Sequence, residues 1–355
     1  MFGDKPKGRS AERRLIQALC GTPLSPPPIW LMRQAGRYLP EYRATRAKAG
    51  GFLDLCYAPA LAAEVTLQPI RRCGFDAAIL FSDILVVPDA LGQPVRFLEG
   101  EGPRLDPIRS GENLARLRPE ATRSKFGLIA ETVARLRQDL PAETALIGFC
   151  GAPWTVATYM VGGEGSSDQA QARLFAYRDP AAFLRLIDIL VAVSVDYLDQ
   201  QVKAGADALQ IFDSWAGSLP EGELNRWVIE PTARLVAEMK RRHPSVPIIG
   251  FPRGVGANTA ARFVTTTGVD AIGCDTGMPL AQVRELQATT GKAVQGNLDP
   301  LLLVAGGDAM AARARAIVSA LAAGPFVFNL GHGIVPQTPP ENVARLVEIV
   351  RGARA

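Results

Sequence analysis

Seven short, continuous apolar runs recur along the chain, and each ends at polar residues or glycine. They are residues 77–81 before Ser82-Asp83, 145–149 before Cys150-Gly151, 208–212 before Asp213-Ser214, and 246–251 before Pro252-Arg253-Gly254. Then come 271–273 before Cys274-Asp275, 293–296 before Asn297-Leu298-Asp299, and 326–330 before Gly331-His332-Gly333. Continuous rather than alternating apolar runs predict parallel strands covered on both faces. Between them, residues 113–140, 181–204, 224–242, 280–290 and 309–323 carry amphipathic patterns long enough for helices. Asp179 before Pro180, and Asp308, read as capping residues at helix starts.

Strand and helix alternating over most of 355 residues predict an α/β fold, and the length and repetition fit a single-domain (β/α)8 TIM barrel. An open nucleotide-binding sheet would carry G-x-G-x-x-G after a strand or G-x-x-x-x-G-K-[ST], and the chain has neither. Residues 92–106, with Pro94, Gly100, Gly102 and Pro103, predict a loop or hairpin excursion. Residues 1–21 read as an N-terminal arm outside the barrel and 22–355 as the catalytic domain, with no linker between further domains.

Composition narrows the function. Lys plus Arg number 39 and Asp plus Glu 35, a net charge of +4 with no run of like charge, so the basic stripe of a nucleic-acid binder is missing. The longest apolar segment, 186–198, is broken by Asp188 and Asp196 and is too short for a membrane span. Five scattered cysteines without C-x-x-C, and no secretory signal, predict a reduced, cytoplasmic protein.

Candidate chemistry lies at the ends of the predicted strands, where barrels build active sites: Asp83, Asp213, Ser214, Arg253, Asp275, Asn297, Asp299 and His332. Asp275 and Asp299 have the look of turn or cap residues. Asp83 is flanked by apolar chain, so its carboxylate needs donors: backbone amides, arginines, or N–H groups of a ligand. Arg33 and Arg37 sit four apart in the stretch 29–40. A paired guanidinium suits carboxylate or phosphate, and an Asp or Glu elsewhere in the fold would serve as well as a ligand. The other histidine, His243, lies in a polar stretch and reads as a surface residue. With two histidines, no H-x-C and no H-E-x-x-H, a catalytic zinc site is not expected. Ser214 lacks a G-x-S-x-G elbow. These residues alone describe a barrel enzyme for an anionic small molecule and do not name the reaction.

Seven segments, in order, resemble the uroporphyrinogen decarboxylase family: residues 32–43 (MRQAGRYLPEYR), 81–85 (FSDIL), 151–160 (GAPWTVATYM), 212–217 (FDSWAG), 251–254 (FPRG), 295–300 (QGNLDP) and 329–334 (NLGHGI). The resemblance implies a (β/α)8 barrel, usually a homodimer, that removes carbon dioxide from the four acetate side chains of uroporphyrinogen to give coproporphyrinogen in tetrapyrrole biosynthesis. It implies neither metal nor organic cofactor. It also implies substrate binding by Arg33, Gln34, Ala35, Gly36, Arg37, Asp83, Tyr159, Ser214 and His332, with Asp83, Arg33 and Arg37 catalytic. In that reading Asp83 accepts pyrrole N–H bonds, and the arginines hold carboxylates, one of them a candidate proton relay. Two positions depart from the family pattern: the stretch 160–165 after Tyr159, and Thr276 where tryptophan is frequent. A corrinoid-dependent methyltransferase of the same superfamily is the nearest rival, and it would need a zinc-binding H-x-C pair. A non-catalytic tetrapyrrole carrier is the second.

Overall fold

Each of the seven apolar runs forms a strand in the computed structural model, which describes residues 13–98 and 102–353. The strands are β1 Ala77–Ile79, β2 Val95–Leu98, β3 Gly102–Leu105, β4 Ala145–Gly151, β5 Ala208–Asp213, β6 Ile248–Pro252, β7 Ala271–Gly273, β8 Ala293–Leu298 and β9 Phe326–Leu330. All but β2 and β3 make one parallel sheet in the order β1-β4-β5-β6-β7-β8-β9. Each crossover therefore moves one place in the same direction. The predicted excursion is the antiparallel hairpin β2–β3, with Arg96 opposite Arg104.

The two outer strands are not left bare. Ile29 bridges Phe328 of β9 in parallel, the Phe328 N–H donates to the Pro28 carbonyl at 2.9 Å, and the Asp76 N–H before β1 donates to the Ile29 carbonyl at 3.0 Å. The short segment 28–30 thus bonds to both sides of the gap between β9 and β1. Three prolines in succession before Ile29 hid this segment from a strand reading.

Helices cover the outer face. A Cβ on Gly148 would lie 2.5 Å from Gln201 Oε1 of the Pro180–Ala204 helix, so that helix packs directly on β4. The Gln201 amide also bonds both the N–H and the carbonyl of Phe149. Strand residues alternate, so Phe149 faces the other way, toward the inside. There it meets Phe212 at 5.5 Å, and Phe212 meets Phe251 at 6.2 Å, both edge to face.

At the N-terminal end of the sheet one device recurs. Gly74-Phe75-Asp76-Ala77, Gly205-Ala206-Asp207-Ala208 and Gly268-Val269-Asp270-Ala271 each end a helix on a positive-φ glycine and start a strand on Ala. The Asp reaches sideways to the next stave: Asp76 accepts from Ile29 N, Asp207 from Leu146 N and Asp270 from Ile248 N, at 2.7–2.8 Å. Every one has a cation. Asp207 pairs with Arg13 and with Arg137 at 2.9 Å, Asp270 with Lys240 at 2.6 Å, and Asp76 faces Arg14 at 3.8 Å.

Several expectations need correction. Residues 1–12 of the expected arm lie outside the described residues. Its remainder is no outlying arm, because the Arg14–Leu19 helix buries Leu15, Ile16, Ala18 and Leu19, and Arg13 is locked to Asp207. The expected 113–140 helix begins at Thr122, after 3-10 turns at Gly111–Arg116 and Pro119–Ala121. Pro119 lacks an N–H and drives Arg118 out of the helical region. Asp179 caps its helix by accepting from Ala182 N, whereas Asp308 lies inside the first turn of the Gly307–Leu321 helix. His243 is no free surface group: its ring is 2.8 Å from Asp199. Among the described residues no helix is long and apolar enough to cross a membrane, and all five cysteines are thiols.

Candidate active site

The C-terminal ends of the strands gather most of the expected residues. A cleft of about 360 Å3 is lined by Ser214 and Trp215 after β5, Arg253 after β6, Asp275 and Thr276 after β7, and His332 after β9. Asp275 and Asp299 act as turn and cap residues. Asp275 accepts from the N–H groups of Gly254 and Gly277, and Asp299 from Leu301 N.

Arg33 stands in the loop after the segment 28–30. The Met32 N–H donates to Asn329 Oδ1 at 3.0 Å, and the Met32 carbonyl accepts from Ile334 N at 2.9 Å, which ties the loop to the end of β9. Arg33 itself has φ +61, a left-handed conformation that costs a non-glycine residue roughly 1–2 kcal/mol. Such strain clusters where function needs a side chain aimed in one direction. The stem of Arg33 crosses Gly333 so closely that a Cβ there would lie 2.4 Å from Arg33 Cδ. Only glycine after His332 leaves room.

Gln34 is fully buried. Its Oε1 accepts from Leu31 N at 3.1 Å and its Nε2 donates to the Ala77 carbonyl at 3.0 Å, so its side chain bolts the loop to β1. The N–H groups of Ala35, Gly36 and Arg37 donate to no acceptor among the described residues. The guanidinium groups of Arg33 and Arg37 are exposed and sit in no ion pair among the described residues. Among the described residues, then, no acid serves either arginine as a structural partner.

Asp83 follows β1 and forms an Asx turn, with Oδ1 accepting from Leu85 N at 2.8 Å. It has no ion pair among the described residues. Loss of water pushes its carboxyl up to about 6, while the Leu85 bond and the field of Arg33 pull the other way. Arg33 also acts on Tyr159, whose hydroxyl burial raises, and on His332. Burial, then Arg33 and Arg253, push the His332 imidazole down to about 4, so it is neutral at pH 7. Arg33, Asp83, Tyr159 and His332 therefore share one electrostatic neighbourhood, and Ser214 and His332 share the cleft. Arg37 stands apart from this group, and its field falls on Tyr42 of the next helix.

The region around Ser214 is supported by residues that the strand-end pattern did not single out. Thr155 Oγ1 donates to Asp213 Oδ1 at 2.5 Å and accepts from Trp215 N at 3.1 Å, while Trp154 Nε1 donates to the Trp215 carbonyl at 3.1 Å. Asp213 is buried, its Oδ2 has no partner, and loss of water raises its carboxyl to about 7. The signal for Thr155 lies in the Gly-Ala-Pro-Trp-Thr stretch, but its contacts with Asp213 and Trp215 are set by the fold. Among the described residues no three His, Cys, Asp or Glu side chains gather as metal ligands.

Comparisons with known proteins speak to the fold and the family. Among solved structures, a methyltransferase from Methanosarcina mazei superposes with a TM-score of 0.73 at 20% identity, covering 95% of this chain and 97% of its own. A B12-independent methionine synthase from Shewanella superposes at 0.53 and 11%. At these identities the likeness is one of fold. Sequence relatives reach further. Uroporphyrinogen decarboxylase from Sinorhizobium fredii is 59% identical over 342 residues, 96% of this chain and 98% of that protein. The Chelativorans enzyme of the same name is 57% identical over 344 residues, 97% and 99%. The family model for uroporphyrinogen decarboxylase matches residues 10–353, and the chain belongs to that family.

Proposed function

We propose that the cleft binds uroporphyrinogen and that Asp83 carries its decarboxylation, with the seven-stranded sheet and the segment 28–30 closing as a (β/α)8 barrel of one domain. The family reaction is that of a carboxy-lyase: each acetate side chain becomes methyl as carbon dioxide leaves. Breaking that C–C bond frees an electron pair that needs an acceptor. A pyrrole serves once a ring carbon is protonated, because the cationic ring takes the pair. Protonation of the exocyclic carbon then gives the methyl group, and loss of the ring proton restores the pyrrole. The net change is one proton taken up for each carbon dioxide released.

The protein's part is electrostatic. Asp83, as the carboxylate, accepts N–H bonds from the folded macrocycle and balances the positive charge that develops on it. Arg33 and Arg37 hold peripheral carboxylates through forked, charge-assisted bonds. The open amides of Ala35, Gly36 and Arg37 take further carboxylate oxygens, and Gln34 fixes the loop that carries them. Tyr159, Ser214 and neutral His332 bond the substrate rim. One observation carries this reading: at the mouth of one sheet, an aspartate with no ion-pair partner among the described residues lies in the field of an arginine that likewise has none. Among the described residues neither group has an ion-pair partner, so an N–H-bearing poly-acid satisfies both.

The resemblance further supports a homodimer in the cytoplasm acting in tetrapyrrole biosynthesis, without nucleic acid or membrane partners, and sedimentation of the purified chain tests the dimer. The function itself is tested by anaerobic incubation with chemically reduced uroporphyrinogen, read by product chromatography. Stepwise loss of carboxylates ending at coproporphyrinogen is expected. Tight binding without carbon dioxide release would make the chain a carrier instead.

A further inference from the structure

The Phe251-Pro252-Arg253-Gly254 turn lines the cleft, but the guanidinium of Arg253 has so far been given no role toward the substrate. In the order β1-β4-β5-β6-β7-β8-β9 with residues 28–30 in the gap, β6 stands four places from that segment in either direction. The end of β6, which carries Arg253, therefore lies across the mouth from the loop that carries Arg33. Both guanidinium groups lie close enough to His332 for their fields to act on it. Arg253 lines the cleft with Ser214 and His332, is half-buried, and has no ion pair or side-chain hydrogen bond among the described residues. Its backbone is fixed regardless of its side chain: the N–H donates to the Asp213 carbonyl at 3.0 Å, and its carbonyl accepts from Gly217 N at 3.0 Å. A half-buried guanidinium held at a cleft without an anion is costly unless a ligand supplies one.

We propose that Arg253 binds a peripheral carboxylate of the substrate on the wall opposite Arg33 and Arg37. The inference rests on the assignment of this cleft to a porphyrinogen, whose carboxylates ring the macrocycle and so meet the protein on both walls. Arg33 and Arg37 answer one arc of that ring, and Arg253 answers the far arc. It is a binding and specificity residue, with no role in proton transfer.

The test compares wild type with Arg253→Gln and Arg253→Lys in turnover of uroporphyrinogen and in binding of coproporphyrinogen. Loss of the charge in Arg253→Gln should raise KM about tenfold or more, with kcat within about threefold of wild type and partial recovery in Arg253→Lys. A parallel loss of coproporphyrinogen affinity assigns the contact to a propionate, and unchanged coproporphyrinogen affinity assigns it to an acetate. KM of both variants within about twofold of wild type, or a fall in kcat at unchanged KM, overturns the proposal. Wild-type turnover in the same series checks the cleft separately: a wild type that releases no carbon dioxide overturns the cleft assignment and this inference with it.

Discussion

The two ends of the sheet use aspartate in opposite ways. At the N-terminal end Asp76, Asp207 and Asp270 each bond a neighbouring strand and face at least one Arg or Lys. At the C-terminal end Asp83 and Asp213 face no cation at ion-pair distance among the described residues, and their carboxyls rise to about 6 and 7. Arginine divides in the same way. Arg13 and Arg137 are spent on Asp207, while Arg33, Arg37 and Arg253 have no ion-pair partner among the described residues. Charges satisfied within the fold hold the staves in register. In the proposed function the charges left open meet the substrate, and the strain at Arg33 lies at that end too.

The sharpest break between the ends is expected from paired substitutions. Asp83→Asn should lower kcat by about 10²–10³-fold, because an amide cannot balance a cationic pyrrole, while the melting temperature stays near wild type. Steady-state assay and calorimetry on one preparation check both halves, and near-normal turnover would end the proposed role. Asp207→Asn should do the reverse. Leaving Arg13 and Arg137 without their anion should cost about 4 kcal/mol of stability in a denaturant titration, with kcat of the folded fraction preserved.

Asp213 sharpens the contrast through pH. Its folded carboxyl titrates near 7, against about 3.9 when unfolded, so the folded chain holds a proton that the unfolded chain has released. That contribution is present at low pH and fades as pH rises through 7. Between pH 5 and pH 8 it amounts to about 3 kcal/mol. Asp213→Asn should remove it and flatten the stability profile over that interval. His332 runs the opposite way: its folded value near 4 means that its contribution fades as pH falls from about 6.5 toward 4. The smallest effect is expected from Arg37→Ala, which should weaken coproporphyrinogen binding about tenfold and leave stability unchanged, since its side chain has no ion-pair partner among the described residues. Calorimetric titration reads the affinity, and an unchanged dissociation constant would remove Arg37 from the site.

The central elements were legible because each strand is an apolar run with a polar stop, and the polar stops mark where β/α folds place chemistry. That pattern singles out Asp83, Ser214 and His332 as candidates, and the hairpin at 95–105 follows from its glycines and prolines. The segment 28–30 was not legible, since its pairing is set by tertiary contact with β9 and Asp76 rather than by local pattern. The recurring Gly-x-Asp-Ala was present in plain view, but its meaning lies in a sideways bond from each Asp to the neighbouring stave, which sequence spacing does not reveal. Whether Arg33 and Arg37 met ligand or protein anions also depended on the fold, because the answer lies in which acids come near.

The most direct test of an ionised, unpaired Asp83 is the pH profile of kcat/KM for uroporphyrinogen in wild type and in Asp83→Asn. Titration of the substrate's own carboxylates affects both proteins alike. The expected result is an acid limb near pH 6 in wild type that is missing from the residual activity of the variant. The same limb in both proteins would contradict the account.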